Sequence, residues 1–142
     1  MQATFNAAGQ PGCNAEGVAL RCVIVDDNGE FLETARQLLE REGLDVVGVA
    51  SDAAEAVGLV AALQPDVALV DVYLGGEDGF ELARRLVEGE EDGARPAVLL
   101  ISTYSEKDLA ELIAASPAVG FLSKSELAGA AVHAALGLDP PR

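Results

Sequence analysis

Apolar residues in this chain take two alternating textures. Five short runs are almost unbroken: ALRCVIV (19–25), LDVVGVA (44–50), VALV (67–70), AVLLI (97–101) and VGFL (119–122). Between them the apolar positions spread to helical spacing, as with Phe31, Leu32, Ala35, Leu38 and Leu39 in EFLETARQLLEREG. Unbroken runs suit strands buried on both faces, and spaced ones suit helices packed over them. Local signals mark the ends. Gly43 stands where a helix C′ residue belongs. Asp52 with Glu55 forms a capping box that opens a helix to about Leu63, which Pro65 closes. Asp78 with Glu81 repeats the pattern before FELARRLVEG. Pro96 precedes the fourth run, and Ser116-Pro117 breaks a helix around Leu109, Leu112 and Ile113. The last helix is ELAGAAVHAALG, 126–137. Strand and helix thus alternate five times, which predicts an α/β, doubly wound (βα)5 domain with a parallel sheet and helices on both faces.

Composition narrows this picture. Half of the residues are apolar but only 4% are aromatic, so the core is expected to be Val, Leu, Ile and Ala. Residues 1–18 are small and polar without periodicity and read as a disordered tail. The domain then runs over 19–137, and 138–142 form a Pro-rich tail. The acidic stretch 88–92 reads as a solvated loop. A net charge of −15 excludes direct nucleic-acid binding by this segment, because phosphate backbones need Lys and Arg clusters. Two cysteines are too few for a disulfide framework, and Cys22, within an apolar run, behaves as a small hydrophobe. A reduced, cytoplasmic setting follows. No secretory signal and no run long enough to span a bilayer is present.

The chemistry collects where the strands end. In a parallel sheet these ends share one edge, and ligands bind there. The closing residues are Asp26 and Asp27, Asp71, Ser102 with Thr103, and Lys124. Three carboxylates together repel unless a cation joins them, and oxygen-only ligands suit Mg²⁺. Asp71 can then act as a nucleophile forming an acyl phosphate, with Lys124 as a point charge and Ser102 as a hydroxyl donor. Ser102 is preferred to Thr103 because it directly closes the apolar run.

These pieces, in the order IVDDN, LVDVYLGGEDG, LLISTY and GFLSK, resemble the receiver domain of two-component response regulators over about residues 19–137. The resemblance implies a flavodoxin-like fold with strand order 2-1-3-4-5. It implies Asp71 as acceptor of a phosphoryl group from a sensor histidine kinase, and Mg²⁺ held by Asp26, Asp27, Asp71 and the Tyr73 backbone carbonyl. It further implies that Lys124 holds the phosphoryl group, and that Ser102 and Phe121 act as the switch. A downstream effector is implied but not named, and a homodimer is one form the output can take. Two departures stand out. Ser125 replaces the proline that commonly follows the lysine, often with a cis bond, and is expected to cap the last helix. Gly75 replaces another common proline and is expected, with Gly76, to loosen the loop.

Each residue also has a plainer reading. Asp26-Asp27 could be a strand-to-helix turn, Asp71 a cap, Lys124 a solvated charge and Phe121 a core aromatic. His133 reads as a helix-surface residue. Tyr73 and Tyr104 are expected at the rim, where they would obstruct an attacking water. The uncharged helix 127–138 is either an exposed Ala-rich helix or a contact face for a partner or a second copy. Two other functions compete. A haloacid-dehalogenase-like phosphatase also uses a strand-end Asp and Mg²⁺, but needs Asp-x-Asp where this chain has Asp71-Val72-Tyr73. A pseudo-receiver binding module would have lost an acid or the lysine.

Overall fold

The computed structural model describes residues 19–88, 96–104 and 106–138. Its elements run β1 (Arg21–Val25), α1 (Gly29–Arg41), β2 (Asp45–Ala50), α2 (Ala53–Leu63), β3 (Val67–Asp71), β4 (Tyr73–Leu74), β5 (Glu77–Asp78), α3 (Gly79–Glu88), β6 (Ala97–Ser102), α4 (Ala110–Ala114), β7 (Gly120–Ser123) and α5 (Gly129–Ala135). Strands β1, β2, β3, β6 and β7 form one parallel sheet in the order β2-β1-β3-β6-β7. Numbering only those five, this is the expected 2-1-3-4-5. The expected tail 1–18, most of the acidic loop 88–92 and residues 139–142 lie outside the described residues.

Alternation along the strands divides the interior in two. Val23, Val25, Ala68, Val70, Val98 and Leu100 face α2 and α3. Cys22, Ile24, Val67, Leu69, Leu99 and Ile101 face α1 and α5. Burial pushes the Cys22 thiol up to about 12, so it packs as an inert hydrophobe.

The helix ends follow the local signals in part. At the end of α1, Gly43 takes φ 99°. Its N–H donates to the Glu40 carbonyl, and Leu44 N–H donates to Leu39 at 3.0 Å, which completes a Schellman motif. Asp52 caps α2 by accepting from Glu55 N–H at 2.8 Å. The reverse half of the capping box is displaced by one residue: the Glu55 carboxylate accepts from Ser51 N–H at 2.9 Å. The Ala53 N–H instead donates to Glu77, 24 positions further on, at 2.9 Å. Asp78 accepts from Phe80 N–H at 2.8 Å at the start of α3.

Three expectations are corrected. Ser125 does not cap the last helix. It lies in a 3-10 turn, Lys124–Glu126, with its hydroxyl 2.9 Å from that of Ser123. The helix starts later, at Gly129, whose N–H donates to the Glu42 carboxylate at the end of α1. His133 is fully buried, not on the surface, and its Nδ1 bonds the Gly129 carbonyl one turn back at 2.9 Å. The expected helix around Leu109, Leu112 and Ile113 forms as a 3-10 turn, Lys107–Leu109, that leads into the five-residue α4, with Leu112 exposed. Gly75 and Gly76 fall in a defined turn. Gly75 at φ 61° makes the turn between β4 and β5, which pair as an antiparallel hairpin. The Lys124–Ser125 bond is trans, as are all described peptide bonds.

The hairpin is wedged against the strand it follows. A Cβ on Gly79 would stand 2.0 Å from the Asp71 carbonyl oxygen and 2.8 Å from the Val72 Cα. Backbone cannot yield as a side-chain tip can, so only glycine lets α3 start this close to Asp71. Gly79→Ala is expected to cost about 3 kcal/mol or more of unfolding free energy, measured by urea titration. A loss under about 0.5 kcal/mol, the ordinary surface range, would refute the tight contact.

Candidate functional site

At the C-terminal edge of the sheet, β1, β3 and β7 release Asp26, Asp71 and Lys124 side by side. Asp26 is held from three directions. Its N–H donates to Ala50 at 3.0 Å, and its Oδ1 accepts from Asn28 N–H at 2.9 Å. Its Oδ2 lies 2.6 Å from the Lys124 ammonium. Asn28 in turn caps α1, accepting from Glu30 and Phe31 N–H. Asp26 is 0% exposed, Asp71 is buried, and the Lys124 side chain is 15% exposed. Lys124 Nζ also donates to Asp71 Oδ2 at 3.2 Å, while Asp71 Oδ1 accepts from Tyr73 N–H at 3.2 Å.

Candidate ligand oxygens of Asp26, Asp27 and Asp71 all lie within 4.8 Å of one another. Asp26 Oδ2 is buried and ion-paired with the Lys124 ammonium. Three carboxylates gathered this closely, with one ammonium beside them, are an oxygen-donor set that suits a hard cation. The three carboxylates therefore fit a metal such as Mg²⁺. Asp27 is exposed and faces the hairpin, 3.3 Å from where a Cβ on Gly75 would sit.

Burial raises the Asp71 carboxyl above its ordinary value, and the Asp26 charge adds to that. The Tyr73 N–H and Lys124 pull the other way without prevailing. For Lys124, burial acts downward but the Asp26 and Asp71 carboxylates outweigh it, so the ammonium is held above its usual value.

Ser102 is buried, and its Oγ accepts from Tyr104 N–H at 2.9 Å. It stands one position beyond Ile101, the register partner of Asp71. Thr103 is exposed. Phe121 is half-buried and packs against the core on the α2 and α3 face. Tyr73 and Tyr104 are 52% and 55% exposed, and their rings meet edge to face at 5.4 Å and 65°. Tyr73 also borders a cleft of about 500 Å³ between the hairpin, α3 and α4, lined by Phe80, Arg84 and Leu112 among others.

Sequence reasoning missed four residues here. Asn28 links Asp26 to α1, Glu77 ties the hairpin to α2, and Gly79 admits α3. Phe31 places its ring centroid 4.5 Å from Lys124 Nζ. A glycine opening an amphipathic helix could have flagged Gly79. Phe31 gave no signal, since helical spacing reads it as core.

The model of the response regulator receiver domain matches residues 22–136. The chain belongs to that family, the receivers of two-component systems. It is 36% identical over 131 residues to a probable transcriptional regulatory protein NarL of Mycobacterium tuberculosis, covering 89% of this chain and 59% of the relative. It is 38% identical over 89 residues to protein-glutamate methylesterase/protein-glutamine glutaminase 5 of Myxococcus xanthus, covering 62% and 25%. The chain thus spans less than two thirds of either relative. Among solved structures, the signal receiver domain of NarL from M. tuberculosis superposes with a TM-score of 0.70 at 34% identity, covering 83% of this chain and 97% of that one. The CheX-CheY-BeF3-Mg complex from Borrelia burgdorferi gives 0.72 at 23% identity, covering 88% and 92%, and shares the fold.

The raised Asp71 carboxyl has a consequence for stability. Its protonated form is favoured in the fold, so stability is lost as pH rises from its ordinary 3.8 through the raised value. At pH 7 the ionised group is a net cost. Asp71→Asn is therefore expected to melt higher than the parent in chelator at pH 7, with the gap narrowing below about pH 4. Coincident melting temperatures at pH 7 would contradict this.

Proposed function

We propose that this receiver accepts a phosphoryl group on Asp71 from the phosphohistidine of a sensor kinase. An Asp71 carboxylate oxygen attacks phosphorus, the phosphorus–nitrogen bond breaks, and the imidazole leaves. The observation that carries this reading is the Lys124 ammonium set between Asp26 and Asp71, 2.6 and 3.2 Å away, beside a cluster of three carboxylates. Asp26, Asp27, Asp71 and the Tyr73 carbonyl would hold Mg²⁺, which supplies charge neutralisation at the transferring group. Lys124 then has a phosphoryl oxygen to hold. Ser102 Oγ accepts from Tyr104, which leaves its own O–H to donate to the phosphoryl group. Phe121 is the aromatic that turns inward as the second half of the switch.

The two alternatives fare less well. A haloacid-dehalogenase-like phosphatase wants a second acid two positions after its nucleophile, where Tyr73 stands. A pseudo-receiver would lack part of the cluster, yet three carboxylates and the lysine converge. The family acts in signalling and is not a classical enzyme family, and no described helix is long and apolar enough to cross a membrane. A cytoplasmic kinase partner and an effector in the same compartment complete the reading.

Incubation with acetyl phosphate and Mg²⁺ is expected to add the mass of one phosphoryl group, and Asp71→Asn is expected to abolish the gain. No gain would favour the binding module, and sustained turnover of phosphate esters would favour the phosphatase.

The tyrosine pair sets how long the signal lasts. Tyr73 N–H is bonded to Asp71 and Tyr104 N–H to Ser102, so the two rings bridge the ends of β3 and β6. An aromatic edge-to-face pair is worth about 0.5–1.5 kcal/mol. If water must part it, Tyr73→Asn with Tyr104→Ala is expected to speed phosphoaspartate hydrolysis about two- to ten-fold. An unchanged rate removes the rim from the mechanism.

A further inference from the structure

We propose that Phe31 is a positioning residue for Lys124: the face of its ring holds the ammonium over Asp71 while the charges around that ammonium change. This rests on Asp71 being the phosphoacceptor.

The lysine stem is flexible and loses considerable rotamer freedom when fixed in one place. Lys124 is fixed by three neighbours: Asp26 Oδ2 at 2.6 Å, Asp71 Oδ2 at 3.2 Å, and the Phe31 ring centroid at 4.5 Å. The first two are unreliable holders during the reaction. Asp71 loses a negative charge when its oxygen bonds phosphorus. Asp26 belongs to the oxygen cluster, and any cation bound there competes with Lys124 for the same carboxylate. The ring's quadrupole is unaffected by either event. It attracts the ammonium without neutralising it, so the full charge stays available to a phosphoryl oxygen. A carboxylate at the same place would compete with the phosphoryl group.

The ring is itself well placed. Phe31 N–H donates to Asn28 Oδ1 at 3.1 Å, and Asn28 N–H donates to Asp26 Oδ1 at 2.9 Å. The first turn of α1 is thereby tied to the same carboxylate that Lys124 touches. With Lys124 only 15% exposed, the contact is largely shielded from water, where a cation over a ring is attracted most strongly.

The decisive variants change the ring's charge distribution and little else. Phenylalanine analogues with one, two and three ring fluorines, placed at position 31 of the full chain, weaken the quadrupole stepwise at nearly constant shape. Binding of BeF3⁻ with Mg²⁺, and the apparent KM and rate for acetyl phosphate, are the readouts. BeF3⁻ affinity is expected to fall with each fluorine, reaching about three- to thirty-fold for the most fluorinated ring and for Phe31→Leu. Phe31→Tyr is expected to retain it, and melting temperatures are expected to stay level through the series. Equal affinity across the fluorine series, or loss that follows melting temperature alone, overturns the proposal.

A second readout needs no metal and no phosphoryl analogue. In the metal-free protein the Lys124 ε-methylene protons should show an upfield ring-current shift that Phe31→Leu removes. Its absence from the parent also overturns the proposal. Failure of the parent to bind BeF3⁻ at all would instead sink the phosphoacceptor reading, and the ring-current arm would still report whether Phe31 holds Lys124.

Discussion

The structure depends on the cost of burying two carboxylates side by side. Asp26 has no exposed surface and Asp71 very little. Like charges this close in a poorly solvated site are unfavourable without a cation. Lys124 answers both, and the rest of the edge is arranged around that answer. The parallel sheet brings strand ends 53 residues apart in sequence into contact. Asn28 starts α1 while its N–H satisfies one oxygen of Asp26. Even so, three carboxylates face one ammonium. The remaining two negative charges are the complement of one divalent cation, and the three carboxylates lie close enough together to share it.

What the sequence revealed depended on how local the cause was. Strand ends were legible because burial on both faces makes the apolar runs continuous, and a polar residue closing such a run has only one edge to occupy. Asp26, Asp71, Ser102 and Lys124 could therefore be placed from the pattern alone. Gly43 and Asp52 were legible because their hydrogen bonds close within a few residues. His133 was misread because an Ala-rich helix has no contrast between its faces; nothing in ELAGAAVHAALG says that Val132 and His133 point inward. Ser125 looked like a cap because a hydroxyl near a helix start usually is one. The structure supplies that function from Glu42, 87 positions away, so no local signal existed. Phe31 was correctly read as helical, but its contact with Lys124 joins two elements at opposite ends of the chain.

The cap that Glu77 provides for α2 has a further effect on the loop after Asp71. The hairpin after Asp71 is tied at two points: Glu77 accepts from Ala53 N–H at 2.9 Å, and Gly79 N–H donates to the Val72 carbonyl at 2.8 Å. Both ties would have to give before the segment could absorb a displacement at Asp71. The segment after β6 is built in the opposite way. Helix α4 is five residues long, has no side-chain cap and contains no buried residue. Elements with few buried contacts open at low free energy. The site therefore sits between a stiff loop on one side and a weakly held helix on the other. Ser102 is the last residue of the strand that leads into the weak side. A hydroxyl drawn toward a phosphoryl group on Asp71 would meet little resistance there, and much more if it had to pull on the hairpin.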